Sequence, residues 1–198
     1  STEITLLTGI ENKMVDGKFI DWNEVDALFQ GVDIIIAHNA SFDRAFIDRF
    51  SSNSPSKIWA CSISDIDWLK RGFTSSKQEL LCYWHGFYFD AHRAMNDVDA
   101  LIHLLTFDTG LERPLLELIK NSNKSEFIIY AEHFKYDPVK KDILKGNKYR
   151  WNPNDKIWFK KVNLDELKHE KDWLTATIYD QAFKGRVEEI IPSNKYKL

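Results

Sequence analysis

Apolar positions along this chain follow two rhythms. Asp21 is placed to cap a helix running to about Gln30, with Glu24 three residues on forming a capping box and Gly31 ending it. Val32 to Ala37 is a short, nearly continuous aliphatic run, the pattern of a strand buried on both faces. His38-Asn39-Ala40-Ser41 leaves that strand. Ser41 is the expected N-cap of a helix through Phe50, with Phe42, Phe46, Ile47 and Phe50 as its apolar stripe. Ser51 to Ser56 reads as a loop, Lys57 to Ser62 as a second strand and Asp65 to Arg71 as a short helix. Ser76-x-x-Glu79 signals a capping box for a helix to about His85 before Gly86. A longer helix is predicted from His92 or Ala94 to Leu105, with Ala94, Val98, Leu101, Ile102 and Leu105 at helical spacing, and another from Pro114 to Ile119.

The rhythm changes after Asn121 to Ser125, a run of small and polar residues that marks a domain boundary. Glu126 to Ala131 reads as a strand, and Asp137-Pro138 opens a short helix closed by Gly146. Tyr149 to Asn152 and Lys156 to Val162 flank Pro153-Asn154-Asp155 as a hairpin would. An amphipathic helix over Leu164 to Tyr179 and a strand over Val187 to Ile191 complete the pattern. Strands alternating with helices predict an α/β domain over residues 1–121, and the remainder predicts a small α+β module over 126–198.

Composition sharpens this division. Residues 1–123 hold 11 Lys/Arg against 18 Asp/Glu, net −7, while residues 124–198 hold 16 against 12, net +4. An acidic front and a basic back suit a metal-dependent site beside a phosphate-gripping appendage, or equally two differently solvated surfaces. No apolar run approaches the roughly 20 residues of a membrane span, and no secretory leader precedes the first helix. Cys61 and Cys82 lack C-x-x-C spacing, so no disulfide framework or zinc knuckle is predicted. The expectation is a soluble, cytoplasmic protein without a membrane partner.

Three residues carry candidate chemistry. Asp43 lies in the first turn of a helix that follows a buried strand, the carboxyl-end rim where α/β proteins place ligands. His92 stands at the mouth of a helix and Asp97 five positions further on. Carboxylates suit a hard divalent cation, and a neutral imidazole beside one accepts a proton from water. The same residues also satisfy a plain structural account, as helix-terminal acids and a cap.

The segment Ala37-His38-Asn39-Ala40-Ser41-Phe42-Asp43 resembles the second motif of the DEDDh exonucleases, the proofreading branch of the ribonuclease-H-like superfamily. His92-Arg93-Ala94-Met95-Asn96-Asp97 resembles their third motif, and Ile4 to Ile10 the loop that leads toward motif two. The three occur in family order over about residues 2–106. The resemblance implies a ribonuclease-H-like fold and two-metal 3′–5′ hydrolysis at the end of single-stranded DNA or RNA, with Mg²⁺ or Mn²⁺ as cofactor. It implies Asp97 as a direct metal ligand, Asp43 as support for the second metal and His92 as general base. Glu3, Thr8 and Asn39 match positions near the terminal nucleotide.

One part of the family pattern is missing from this sequence: an Asp-x-Glu motif on a strand upstream of Ile4. Asp65-Ile66-Asp67 has the right chemistry in the wrong place. The expectation is therefore an N-terminally truncated exonuclease domain, catalytically crippled as it stands and lacking an upstream segment. In the basic module, Lys148, Arg150 and Lys160 interleave with Tyr149, Trp151, Trp158 and Phe159 as cations and bases' stacking partners would. Trp151 and Trp158 serve equally as core against Leu167, Trp173 and Ile178. The alternatives to an enzyme are a non-catalytic nucleic-acid-binding module and a polymerase-associated interaction domain on the same scaffold.

Overall fold

The computed structural model describes residues 2–107, 110, 112–179 and 181–197. They form a mixed α/β structure in two compact units, one reaching Asn123 and resuming at Tyr196, the other spanning Lys124–Lys195.

The first unit begins with three helices, α1 (Thr2–Thr8), α2 (Asn12–Val15) and α3 (Trp22–Gln30), none of which contributes a buried residue. Asp21 caps α3 by accepting the backbone N–H groups of Asn23 and Glu24. Strand β1 (Ile34–Ala37) pairs in parallel with β2 (Ile58–Cys61), Ile34 opposite Ile58 and Ala37 opposite Cys61. Between them lies α4 (Ala40–Ile47), and after them come α5 (Gln78–Trp84), α6 (Ala94–Thr106) and α7 (Pro114–Ser122). On one side, Ile34 and Ile36 pack on a core of Ala60, Trp68, Leu81, Leu101, Leu104 and Leu118. On the other, Ile35 and Ala37 join Ala40, Trp59, Cys61 and Tyr196. Both faces of β1 are thus covered, yet β2 is its only strand neighbour among the described residues. Apolar side chains stay in water nearby: Leu6 is 82%, Phe19 88% and Leu28 72% exposed.

Several local expectations need correction. The expected N-cap at Ser41 moves to Asn39, whose φ of 79° turns the chain left-handed into α4. Asparagine tolerates that conformation better than most residues. The aromatic stripe of α4 lies outward, since Phe42, Phe46 and Phe50 are exposed, and the helix buries Ala40 and Arg44 instead. Arg44 donates to Asp48 at 3.0 Å and to the Pro55 carbonyl at 3.1 Å while its guanidinium lies over Trp59. Residues 65–71 form turns, not a helix, because the Asp65 carboxylate bonds back to the Cys61 N–H at 2.8 Å. Helix α5 starts after Lys77, without the expected Ser76 cap. Helix α6 is rotated from its predicted face: it buries Ala100, Leu101, Leu104 and Leu105 and leaves Val98 and Ile102 exposed.

The second unit is a four-stranded antiparallel sheet in the order β4-β5-β3-β6, formed by β3 (Glu126–Ala131), β4 (Arg150–Asn152), β5 (Ile157–Asn163) and β6 (Arg186–Ile190). Helices α8 (Pro138–Gly146) and α9 (Leu164–Leu174) supply the core partners of one face. The helix expected to reach Tyr179 gives way after Leu174 to a wider π-turn over Thr175–Tyr179. Ile129, Ala131, Trp158, Val162, Leu144, Leu174 and Ile178 form its core. Trp158 is core and Trp151 is half exposed, so the two hairpin tryptophans divide between the roles expected of them.

Candidate functional site

The carboxyl ends of the parallel strands bring three chain segments together. Ala37 accepts the Ser62 N–H at 3.0 Å, which fixes the end of β1 against the end of β2. The next residue, His38, places Nδ1 2.7 Å from Ser62 Oγ. Burial holds this imidazole below its usual pKa, while the Ser76 backbone and the negative charge of Asp97 oppose that shift. His38 is thus bonded across the two strand ends to Ser62, and the negative charge of Asp97 favours its protonated form.

Asp97 is gripped by its backbone. Its N–H donates to the Arg93 carbonyl at 2.9 Å, and its own carbonyl accepts from Gln78 Nε2 at 2.5 Å, tying α6 to α5. Its carboxylate accepts the His92 N–H at 3.3 Å. His92 adopts a left-handed φ of 67°, and its ring points toward Glu79, with Nε2 3.9 Å from that carboxylate. The pair five residues apart in sequence is thus in contact through backbone and carboxylate, while the His92 imidazole is half exposed beside α5. Asp43, in the first turn of α4, is half buried, and burial raises its carboxyl above the ordinary range against the opposing pull of its own backbone N–H.

The turn after α1 lies against the same region. A methyl group added at Gly9 would stand 3.0 Å from Arg93 Nη2, and Gly9 has a φ of 66°. Thr8 spends its hydroxyl on the helix end, donating to the Ile4 carbonyl at 2.8 Å and accepting from the Ile10 N–H at 3.1 Å. The segment expected to be a loop is therefore helical to Thr8, and Glu3 lies exposed in its first turn. A groove beside His92 is lined by Leu7, Tyr83, Phe87, Tyr88 and Phe89.

Two carboxylates, Asp43 and Asp97, offer the hard oxygen donors a divalent ion prefers, but they are too few to hold a pair of ions. Among the described residues no three His, Cys, Asp or Glu side chains converge as metal ligands. Asp65, the spare acid, is committed elsewhere: it accepts from the Cys61 N–H and from Tyr196 Oη at 2.9 Å. The residues present do not by themselves complete a metal centre.

In the second unit, Lys148 and Arg150 are exposed, with Lys148 in a left-handed turn after α8. Lys160 is not free: its ammonium lies 2.7 Å from the buried Glu170 carboxylate, which also accepts from Asn147 at 2.8 Å. Sequence reasoning passed over His38, Ser62 and Gln78. His38 had a signal, being the first polar side chain after an aliphatic strand; the other two are brought in only by the fold. Comparison of the chain with protein-family models, with curated proteins and with solved structures finds no match. Among the described residues, no helix is long and apolar enough to cross a membrane.

Proposed function

We propose that the first unit is the larger part of a metal-dependent 3′–5′ exonuclease of the ribonuclease-H-like type, acting on single-stranded DNA or RNA ends. The observation that carries this reading is the contact between His92 and Asp97 at the start of α6, where the Asp97 carboxylate accepts the His92 N–H at 3.3 Å. Asp43 follows five residues after His38 on the same rim. In this proposal Asp97 and Asp43 would hold Mg²⁺ or Mn²⁺ together with donors from outside the described residues, and the metal would supply charge stabilisation at the phosphodiester oxygens. His92, half exposed and tied to Asp97 through its backbone N–H, would accept the proton of the attacking water. Asn39, Thr8 and Glu3 lie on the segments that would surround the terminal nucleotide.

The missing donors come, on this reading, from an Asp-x-Glu pair on a strand seated along the open side of β1. Support for a further strand is physical. A parallel strand insulated on both faces is ordinarily flanked on both sides, and the uncovered apolar side chains of α1 to α3 await a partner. A second reading, a non-catalytic nucleic-acid-binding or polymerase-associated domain on this scaffold, is favoured by the lack of a three-ligand cluster among the described residues.

The deciding experiment follows cleavage of a 3′-labelled oligonucleotide with Mn²⁺ by this chain alone and by a longer form carrying an upstream strand with an acidic pair. The longer form is expected to cleave, and His92→Ala to lower its rate by about two orders of magnitude, the usual worth of a general base. Full activity in His92→Ala would remove that residue from its role. Binding without cleavage in both forms would decide for the non-catalytic reading.

A further inference from the structure

Strand register in the second unit lines up four residues across the sheet. Arg150 of β4 stands opposite Phe159 of β5, Phe159 opposite Tyr130 of β3, and Tyr130 opposite Arg186 of β6. Directly opposed residues of antiparallel strands share a face. The face is the one turned away from α8 and α9, since the strand residues of the core are the alternate set: Phe127, Ile129, Ala131, Trp158, Val162 and Val187. Four strands at about 4.8 Å spacing make the row roughly 14 Å long.

Its chemistry is specific. Two half-buried aromatic rings occupy the central strands, and an exposed arginine stands on each edge strand. The Arg186 guanidinium lies 3.9 Å from the Tyr130 ring centre. Glu188 at 3.2 Å and Glu132 at 3.7 Å hold it there, and Glu188 also accepts from Tyr130 Oη at 3.0 Å. Those glutamates neutralise Arg186, which therefore serves as a flat stacking surface. Lys161, on the same face, is loosely paired with Glu126 at 3.6 Å. Arg150 has no ion pair among the described residues and is the cation left for an incoming phosphate.

We propose that this helix-free face binds single-stranded nucleic acid, with bases stacking on Phe159 and on the Arg186–Tyr130 pair and phosphates meeting Arg150 and Lys161. Flat π-surfaces alternating with guanidinium and ammonium groups match the alternation of bases and phosphates in an unpaired strand, and an open four-stranded sheet is a surface from which aromatic side chains stack on bases. A sheet face with only aliphatic residues, or with aromatics and no cations, would carry no such match. The inference rests on the nuclease reading for its class of ligand and adds where, in the second unit, the strand is held.

The test is fluorescence anisotropy of labelled oligothymidylate and oligouridylate with the full chain in EDTA, so that binding is read apart from hydrolysis. Salt-sensitive binding is expected. Phe159→Leu and Tyr130→Leu, which preserve bulk and strand register, should each weaken it about tenfold with an unchanged melting temperature. Arg150→Ala should weaken it across sequences and lower the salt slope by about one. Phe159→Trp should retain or improve it, giving a positive control that a misfolded variant cannot imitate. The proposal is overturned if the folded leucine variants bind like the parent, or if the parent shows no salt-sensitive affinity for either oligonucleotide. Binding by this chain, together with no metal-dependent cleavage by the longer form that carries the upstream acidic strand, would leave this face standing and sink the nuclease reading alone.

Discussion

Lys160 invites a discriminating experiment, because its place in the sequence and its place in the fold assign it opposite roles. In sequence it is one of a run of cations suited to phosphates; in the fold its ammonium is 2.7 Å from Glu170, with side chains 19% and 7% exposed. Replacing it by Met leaves the Glu170 carboxylate buried without its counter-ion, with Asn147 still donating to it at 2.8 Å. At an effective dielectric of about 20, charges about 4 Å apart attract by ~4 kcal/mol, and removing one partner of a buried pair costs about 3–5 kcal/mol. A unit of roughly seventy residues holds about 4–11 kcal/mol in total. Lys160→Met should therefore remove about a quarter or more of the second unit's stability. Hydrogen exchange across a urea series, read on peptides from β3, β5 and α9, measures that loss without interference from the first unit. The double variant Lys160→Met with Glu170→Leu, which removes both charges, should recover to within about 1 kcal/mol of the parent. A single variant that unfolds like the parent but binds oligonucleotide tenfold more weakly would refute this account and return Lys160 to the phosphate-binding set.

Two further outcomes follow from the first unit. Asp26 accepts from the hydroxyls of Ser51 and Ser52 and from the backbone N–H groups of Ser52 and Asn53, and the two hydroxyls are the chief cause of its carboxyl being lowered to about 2. A folded value below the unfolded one adds stability that is present above about pH 4 and lost as pH falls toward 2. Asp26→Asn should flatten the acid limb of a melting-temperature profile over that window. At Asn39, with φ at 79°, Asn39→Gly should fold as the parent does, whereas Asn39→Val should cost about 1–2 kcal/mol or more in chemical unfolding.

Much of the architecture was legible because it rests on local pattern. The aliphatic run Val32 to Ala37 reads as a strand and β1 takes its Ile34–Ala37 portion, and the polar run around Asn121 to Ser125 stands where the chain passes between units. What escaped depends on partners distant in sequence. Residues 65–71 have helical punctuation, yet the Asp65 side chain takes the Cys61 N–H and the hydroxyl of Tyr196, 131 residues away. The phase of α6 was misjudged because Val98 and Ile102 are as apolar as the leucines that were buried, so periodicity alone had two solutions. The motif residues Asp43, His92 and Asp97 were readable as types, but their roles depend on angles that spacing does not encode. His92 in particular leans toward Glu79, a tilt set by its left-handed backbone.

The bare flank of β1 has a consequence for how such a protein is regulated. A strand packed on both faces and paired on one side among the described residues would, under the proposed function, receive a guest backbone along its other side. Under the proposed function, competence would then be governed by local concentration: a guest tethered in the same polypeptide is present at millimolar effective levels, while a separate one must compete by affinity. On that reading, attachment or release of a single strand would suffice to switch activity on or off.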